Sequence, residues 1–125
     1  MIMNKINKKT LVIGASLNPS RYSNLVINKL IAHGHDVVAL GKKAGNIAGI
    51  DVDIEKLTYK DVDTVTLYLN PTNQKEFYNY IVSLKPKRVI FNPGTENPEL
   101  YKILRDNNIP FESACSLVLL STNQY

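Results

Sequence analysis

Cysteine is nearly absent from this chain: a single thiol, Cys115, stands among 125 residues. One cysteine cannot form an internal disulfide, and no Cys/His cluster has the spacing of a zinc site. No metal site is expected. Also missing is any uninterrupted apolar run near the ~20 residues that a bilayer-spanning helix needs. The start, Met1 to Lys9, is polar and lysine-bearing and lacks the apolar stretch of a signal peptide. These absences exclude a disulfide-stapled secreted domain and a transmembrane helix. They point to a reducing cytoplasm and to no membrane partner.

What is present is an ordinary globular composition, 44% hydrophobic and 21% charged. That supply of apolar side chains can offset the entropy of ordering the backbone, so wholesale disorder is excluded. A length of 125 residues fits one domain. The expected organisation is a flexible N-terminal segment, residues 1–9, followed by one domain, residues 10–125. Charge is unevenly placed: residues 1–50 hold seven Lys/Arg and one acid, Asp36, whereas residues 51–125 hold eight Lys/Arg and ten acids. A basic N-terminal portion suits nucleic acid, a membrane surface or a phosphorylated small molecule, or is simply a solvated surface. Nucleic acid is not expected, because the bases form no stripe and no aromatic platform is interleaved with them.

Short apolar runs alternate with helical periodicity along the chain. Thr10–Gly14 reads as a buried strand, Ala15–Arg21 as a loop, and Tyr22–His33 as a helix capped by Ser20 or Ser23 and ended at Gly34. A second strand follows over His35–Leu40, a weaker one over Ile47–Ile54, and a firm one over Asp63–Leu69. A helix is expected over Thr72–Leu84, a strand over Arg88–Asn92, and a helix over Pro98–Asn107 with Asn97 as its cap. Ile109–Ala114 reads as a last strand and Ser116–Leu120 as a terminal helix. Strands alternating with helices imply an α/β fold: a doubly wound, Rossmann-like parallel sheet with helices on both faces. Such sheets bind ligands beyond the carboxyl ends of their strands. The loops of interest are therefore Gly14–Arg21, Gly41–Lys43, Asn70–Asn73 and Asn92–Asn97.

The first loop leads into a helix N-terminus, where unpaired amides and the helix dipole favour a phosphate. Gly14 permits a tight turn, Ser16 offers a hydroxyl, and Arg21 brings a fixed charge suited to bidentate phosphate binding. The run Gly14-Ala15-Ser16-Leu17-Asn18-Pro19 is not G-x-G-x-x-G, however, because Leu17 and Pro19 stand where a dinucleotide loop needs small residues. An ordinary strand-to-helix turn is the competing reading. After the second strand, where an NAD site carries an acid for the ribose hydroxyls, this chain has Gly41-Lys42-Lys43. Lysines there suit a phosphorylated ribose, as in NADP or the 3′-phosphoadenosine end of coenzyme A (CoA). They also suit a plain surface turn.

Taken together, Val12-Ile13-Gly14-Ala15-Ser16, Asn18-Pro19-Ser20-Arg21-Tyr22-Ser23, Gly34-His35-Asp36-Val37, Val65–Pro71 with Gln74, Pro86–Val89 with Asn92–Glu96, and Ala114–Val118 resemble a known family. It is that of the small CoA-binding proteins built on a single Rossmann domain, related to the N-terminal domain of succinyl-CoA synthetase α subunits. The likeness runs from about Thr10 to Tyr125. By that resemblance Gly14, Ala15 and Ser16 surround the phosphates of CoA with Arg21 beside them, and Pro19 and Tyr22 belong to the same loop motif. Gly41, Lys42 and Lys43 fall at the adenosine end, although larger relatives often carry an Asn-Pro pair there. Asn70 and Pro71 line the adenosine or pantetheine path, and Asn92, Pro93 and Gly94 lie near the thiol.

No catalytic set is legible. His33 and His35 sit at a helix–strand junction, the acids Asp51, Asp53 and Glu55 fall on a solvated stretch, and Cys115 reads as a packed thiol with a redox role left open. The ligase relatives draw on further domains for chemistry, including one with a phosphorylated histidine. The expectation is therefore a non-enzyme that binds CoA or an acyl-CoA as a sensor or carrier. The alternatives are a small NADP-dependent oxidoreductase and an interaction domain without ligand.

Overall fold

The computed structural model describes residues 6–125. The expected flexible segment therefore lies partly outside the described residues. Of the part within them, Asn7 is hydrogen-bonded to Asp36, Lys8 N–H donates to His35 Nδ1 (2.9 Å), and Lys9 C=O accepts from Asp63 N–H (2.9 Å).

Seven strands form one sheet in the order β3-β4-β2-β1-β5-β6-β7. The ranges are β1 Thr10–Ala15, β2 Val37–Gly41, β3 Gly45–Ile47, β4 Ile50–Asp53, β5 Thr64–Leu67, β6 Arg88–Phe91 and β7 Phe111–Ser113. All pairs are parallel except β3–β4, an antiparallel hairpin at one edge. Leaving out β3, the order is that of the doubly wound dinucleotide-binding sheets, reversing between β1 and β5.

The helices are α1 Tyr22–Ala32, α2 Pro71–Gln74, α3 Tyr78–Leu84, α4 Pro98–Asp106 and α5 Ser116–Ser121. Period-two alternation along each strand divides the core into two layers. Leu11, Ile13, Val65, Leu67, Val89 and Phe91 meet Ile81 of α3 and Leu100 and Leu104 of α4. Val12, Ala39, Val52 and Ile90 meet Val26, Ile27 and Leu30 of α1 and Leu120 of α5.

Three local departures from the sequence expectations have physical causes. The run Ile47–Ile54 is not one strand but the β3–β4 hairpin, because Ala48 and Gly49 both take positive φ (51° and 89°), the two-residue turn that matches strand twist. The helix expected over Thr72–Leu84 starts at Pro71 and is interrupted by a 3-10 turn at Lys75–Phe77. Neither Ser20 nor Ser23 caps α1. Arg21 holds the N-cap position and makes no side-chain cap bond, while Ser23 Oγ accepts from Ser16 N–H at 3.1 Å. The C-terminal end of α1 behaves as expected: Gly34 is left-handed (φ 82°), and Gly34 N–H and His35 N–H donate to Ile31 O and Leu30 O.

Candidate functional site

The carboxyl ends of β1, β2 and β5 converge where the strand order reverses, and a cleft of about 1210 Å³ opens there. This exceeds the ~300–1,000 Å³ of pockets for drug-sized ligands.

The floor is set by glycines. Gly14 has φ 96°, and a Cβ on it would lie 2.8 Å from the Tyr68 carbonyl oxygen, so only glycine lets β1 turn this close to the end of β5. Gly41 has no unusual φ, but a Cβ there would lie 2.4 Å from the Ala15 carbonyl oxygen. The β1–β2 register shifts between Ile13 and Ala15, and Gly41 leaves room for that irregularity. Gly45 of β3 faces Leu17, whose side chain would come within 2.6 Å of a Cβ at that position. Leu17, out of place in a dinucleotide loop, therefore fastens the loop to the β3–β4 hairpin.

The loop after β1 is folded by its own polar groups. Asn18 N–H donates to Ser16 Oγ, Ser20 N–H to Asn18 Oδ1, and Asn24 Nδ2 to Ser16 O. With Ser16 N–H donating to Ser23, the amides of Leu17, Tyr22 and Ser23 are left without a protein partner among the described residues. The first turn of α1 carries no acid. The positive end of the helix dipole and unsatisfied donors thus face the cleft together.

Cations surround this point. Arg21, Lys42, Lys43 and Lys75 line the cleft, and none has a carboxylate within 4 Å among the described residues. Glu76 is the one acid in the lining. At the end of β4, Asp53 accepts a hydrogen bond from the Tyr59 hydroxyl and is not part of the cleft, so no carboxylate stands ready for a ribose diol beside β2. The Tyr59 phenol is held well above its ordinary range, first by burial and then by that carboxylate.

The opposite wall has a different character. Asn70 caps α2 by accepting from Asn73 N–H (2.9 Å), and Pro71 occupies the first helical position. Asn92 is buried. Its Nδ2 donates to Thr66 Oγ1 (2.7 Å) and Leu67 O (2.9 Å), and its Oδ1 accepts from Ser116 N–H (2.9 Å). Thr95 N–H and Oγ1 both donate to Asn92 O. Tyr68 completes the wall, its hydroxyl buried without a partner among the described residues and its phenol raised by that burial.

Of the residues singled out from sequence, the cleft brings together Gly14, Ala15, Ser16, Arg21, Tyr22, Gly41, Lys42, Lys43, Asn70, Pro93 and Gly94. Pro19 is exposed outside it, Pro71 stands behind Asn70, and Asn92 lies beneath the wall with its amide fully committed. Sequence reasoning missed Ile54, Tyr68, Leu69, Lys75 and Phe77. Ile54 and Tyr68 directly follow β4 and β5, so the rule of looking beyond strand ends reaches them once the strands are bounded correctly. Lys75 and Phe77 sit on the 3-10 turn, which the sequence pattern hid inside a continuous helix.

The fold and cleft define a doubly wound, Rossmann-like domain with a cation-lined cleft at its switch point. The chain belongs to the CoA binding domain family, whose model matches residues 8–121. A crystal structure of an uncharacterized protein is 49% identical, with 96% of this chain and 99% of that chain aligned at a TM-score of 0.93. Cell-free ID.343 from Thermus thermophilus is 21% identical over 95% of this chain and 91% of its own, TM-score 0.84. The dinucleotide forming acetyl-coenzyme A synthetase 1 of Ca. Korarchaeum cryptofilum shares the fold at 16% identity and TM-score 0.68, over 83% of this chain and 25% of that one. No functionally curated protein matches the chain. Among the described residues no helix is long and apolar enough to cross a membrane, and no group of three or more His, Cys, Asp or Glu is placed to hold a metal ion.

Proposed function

We propose that the cleft binds CoA or an acyl-CoA without transforming it, and that the protein serves as a sensor or carrier in the cytoplasm. The observation that carries this reading is the coincidence, in a member of a CoA binding domain family, of free amides at the start of α1 with unpaired cations on three sides. The pyrophosphate sits on the Tyr22 and Ser23 amides beside Arg21. The 3′-phosphate reaches Lys42 and Lys43 at the end of β2, and the pantetheine arm runs past Asn70 toward Pro93 and Gly94. The lining holds one acid, Glu76, and neither His nor Cys. The lysines would equally meet the 2′-phosphate of NADP, so NADP is the informative competitor.

The test is mass spectrometry of ligand released from the purified protein, followed by thermal melts with CoA, NAD and NADP. A ligand that binds only the native state adds about 2.7 kcal/mol at 100 times its dissociation constant. CoA should raise the midpoint most. A larger shift with NADP would replace the reading with the oxidoreductase alternative, and no shift with any of them would favour an interaction domain.

A further inference from the structure

The two loops of the β5–β6 side, residues 68–73 and 92–97, are joined by a single side chain that lines no part of the cleft. Gln74 is fully buried, 0% exposed, in the last turn of α2. Its Nε2 donates to Leu69 O and to Thr95 O, both at 2.8 Å, and its Oε1 accepts from Asn97 Nδ2 at 3.0 Å. Asn97 in turn donates to Tyr78 Oη (2.8 Å) and caps α4. Leu69 and Thr95 both line the cleft, from opposite loops. One carboxamide therefore fixes the separation of the two loops, using both of its hydrogens and one oxygen lone pair. No other side chain among the described residues hydrogen-bonds to both.

We propose that Gln74 is a positioning residue that sets the width of the β5–β6 half of the cleft, and so the fit of the ligand's pantetheine arm. The proposal rests on the CoA reading above. The chemistry asks for a primary amide. A hydrocarbon of similar volume leaves two carbonyls and one N–H without their protein partners. A glutamate keeps one donor only while protonated, and burial between two carbonyl oxygens would hold that carboxyl protonated well above the usual carboxylate range. The adenosine half is built from β1, β2 and α1; it packs against this side at Gly14, but none of its side chains hydrogen-bonds to Gln74 or Asn97.

The experiment is calorimetric titration of CoA and of adenosine 3′,5′-bisphosphate into the unmodified protein, Gln74→Leu and Gln74→Glu, with circular dichroism as the check on folding. Gln74→Leu should weaken CoA about tenfold, equivalent to one hydrogen bond's worth of fit, and leave the bisphosphate affinity unchanged. Gln74→Glu should bind CoA more weakly as pH rises, with no such trend in the unmodified protein, and this variant carries the test if the leucine variant does not fold. Equal losses for both ligands, or a folded variant with unchanged CoA affinity at every pH, would overturn the positioning role. Absence of CoA binding by the unmodified protein would instead overturn the functional reading on which it stands.

Discussion

The two halves of the cleft handle their polar groups in opposite ways. On the β1–β2 side, three backbone amides and the cations Arg21, Lys42 and Lys43 have no partner among the described residues. On the β5–β6 side, Asn92, Thr95, Gln74 and Asn97 satisfy one another and are buried. An unpaired buried polar group costs about 1–3 kcal/mol, and on this side only the Tyr68 hydroxyl is left so among the described residues, whereas donors facing a cleft can wait for a ligand. One half therefore has unpartnered donors and cations, which on the proposed reading receive anions, and the other is a hydrogen-bonded frame. Both halves present polar residues at strand ends. Only pairing tells them apart.

The largest effect should come from the seam between the halves. In Gly14→Ala the new methyl meets the Tyr68 carbonyl and the residue is forced to a positive φ, at a cost of about 2–4 kcal/mol in denaturant unfolding. Stability close to that of the unmodified protein would show that the two halves are not packed against each other there. Arg21→Ala should leave the melt unchanged and weaken CoA by about 1.5–3 kcal/mol in calorimetry, since it removes a charge-assisted contact from the open half only. An unaltered affinity would place Arg21 on an ordinary solvated face. Replacing Lys42 and Lys43 together by alanine should erase a preference for CoA over dephospho-CoA of about 1 kcal/mol, and that preference should shrink with salt. Equal affinities for the two ligands in the unmodified protein would remove the 3′-phosphate from this end.

The smallest effect lies outside both halves and serves as their control. His35, just before the amino end of β2 and so at the opposite end of the strands from the cleft, accepts from Lys8 N–H, and its pKa is lowered from 6.5, first by burial and then by His33, Lys8 and Arg88. Protons bind the unfolded chain more readily than the folded one, so the stability held above pH 6.5 should decline as pH falls through that value. Thermal melts between pH 5 and 8 should show this decline, and His35→Gln should flatten it. At each pH, CoA affinity per folded molecule should be the same in His35→Gln as in the unmodified protein.

Much of this fold is written locally. The alternation of Leu11, Val12 and Ile13, the Gly34 stop after α1 and the Asn97-Pro98 start of α4 each act within a few residues, and each reads directly. Gly14 and Gly41 are legible as turn residues. What makes them necessary is an approach by Tyr68 and Ala15 from other strands, which no local pattern carries. The hairpin at Ala48-Gly49 escaped because alanine seldom takes positive φ. In the site, the loops after strands were identifiable by rule, but their division into free and committed groups was not. Lys42 and Asn92 are both polar residues just past strand ends. Lys42 lines the cleft without a carboxylate partner among the described residues, whereas Asn92 is spent on Thr66, Leu67 and Ser116, contacts that exist only once β5, β6 and α5 are assembled.

The claim that the open half receives the phosphates is tested most directly by following backbone amide resonances during titration with CoA. The amides of Tyr22 and Ser23, unpartnered in the free protein, should show the largest shifts, with Leu17 moving beside them. The amide of Ser116, already donating to Asn92, should stay nearly in place. Saturable shifts centred away from the start of α1, or no shift at Tyr22 and Ser23 when CoA is bound, would contradict it.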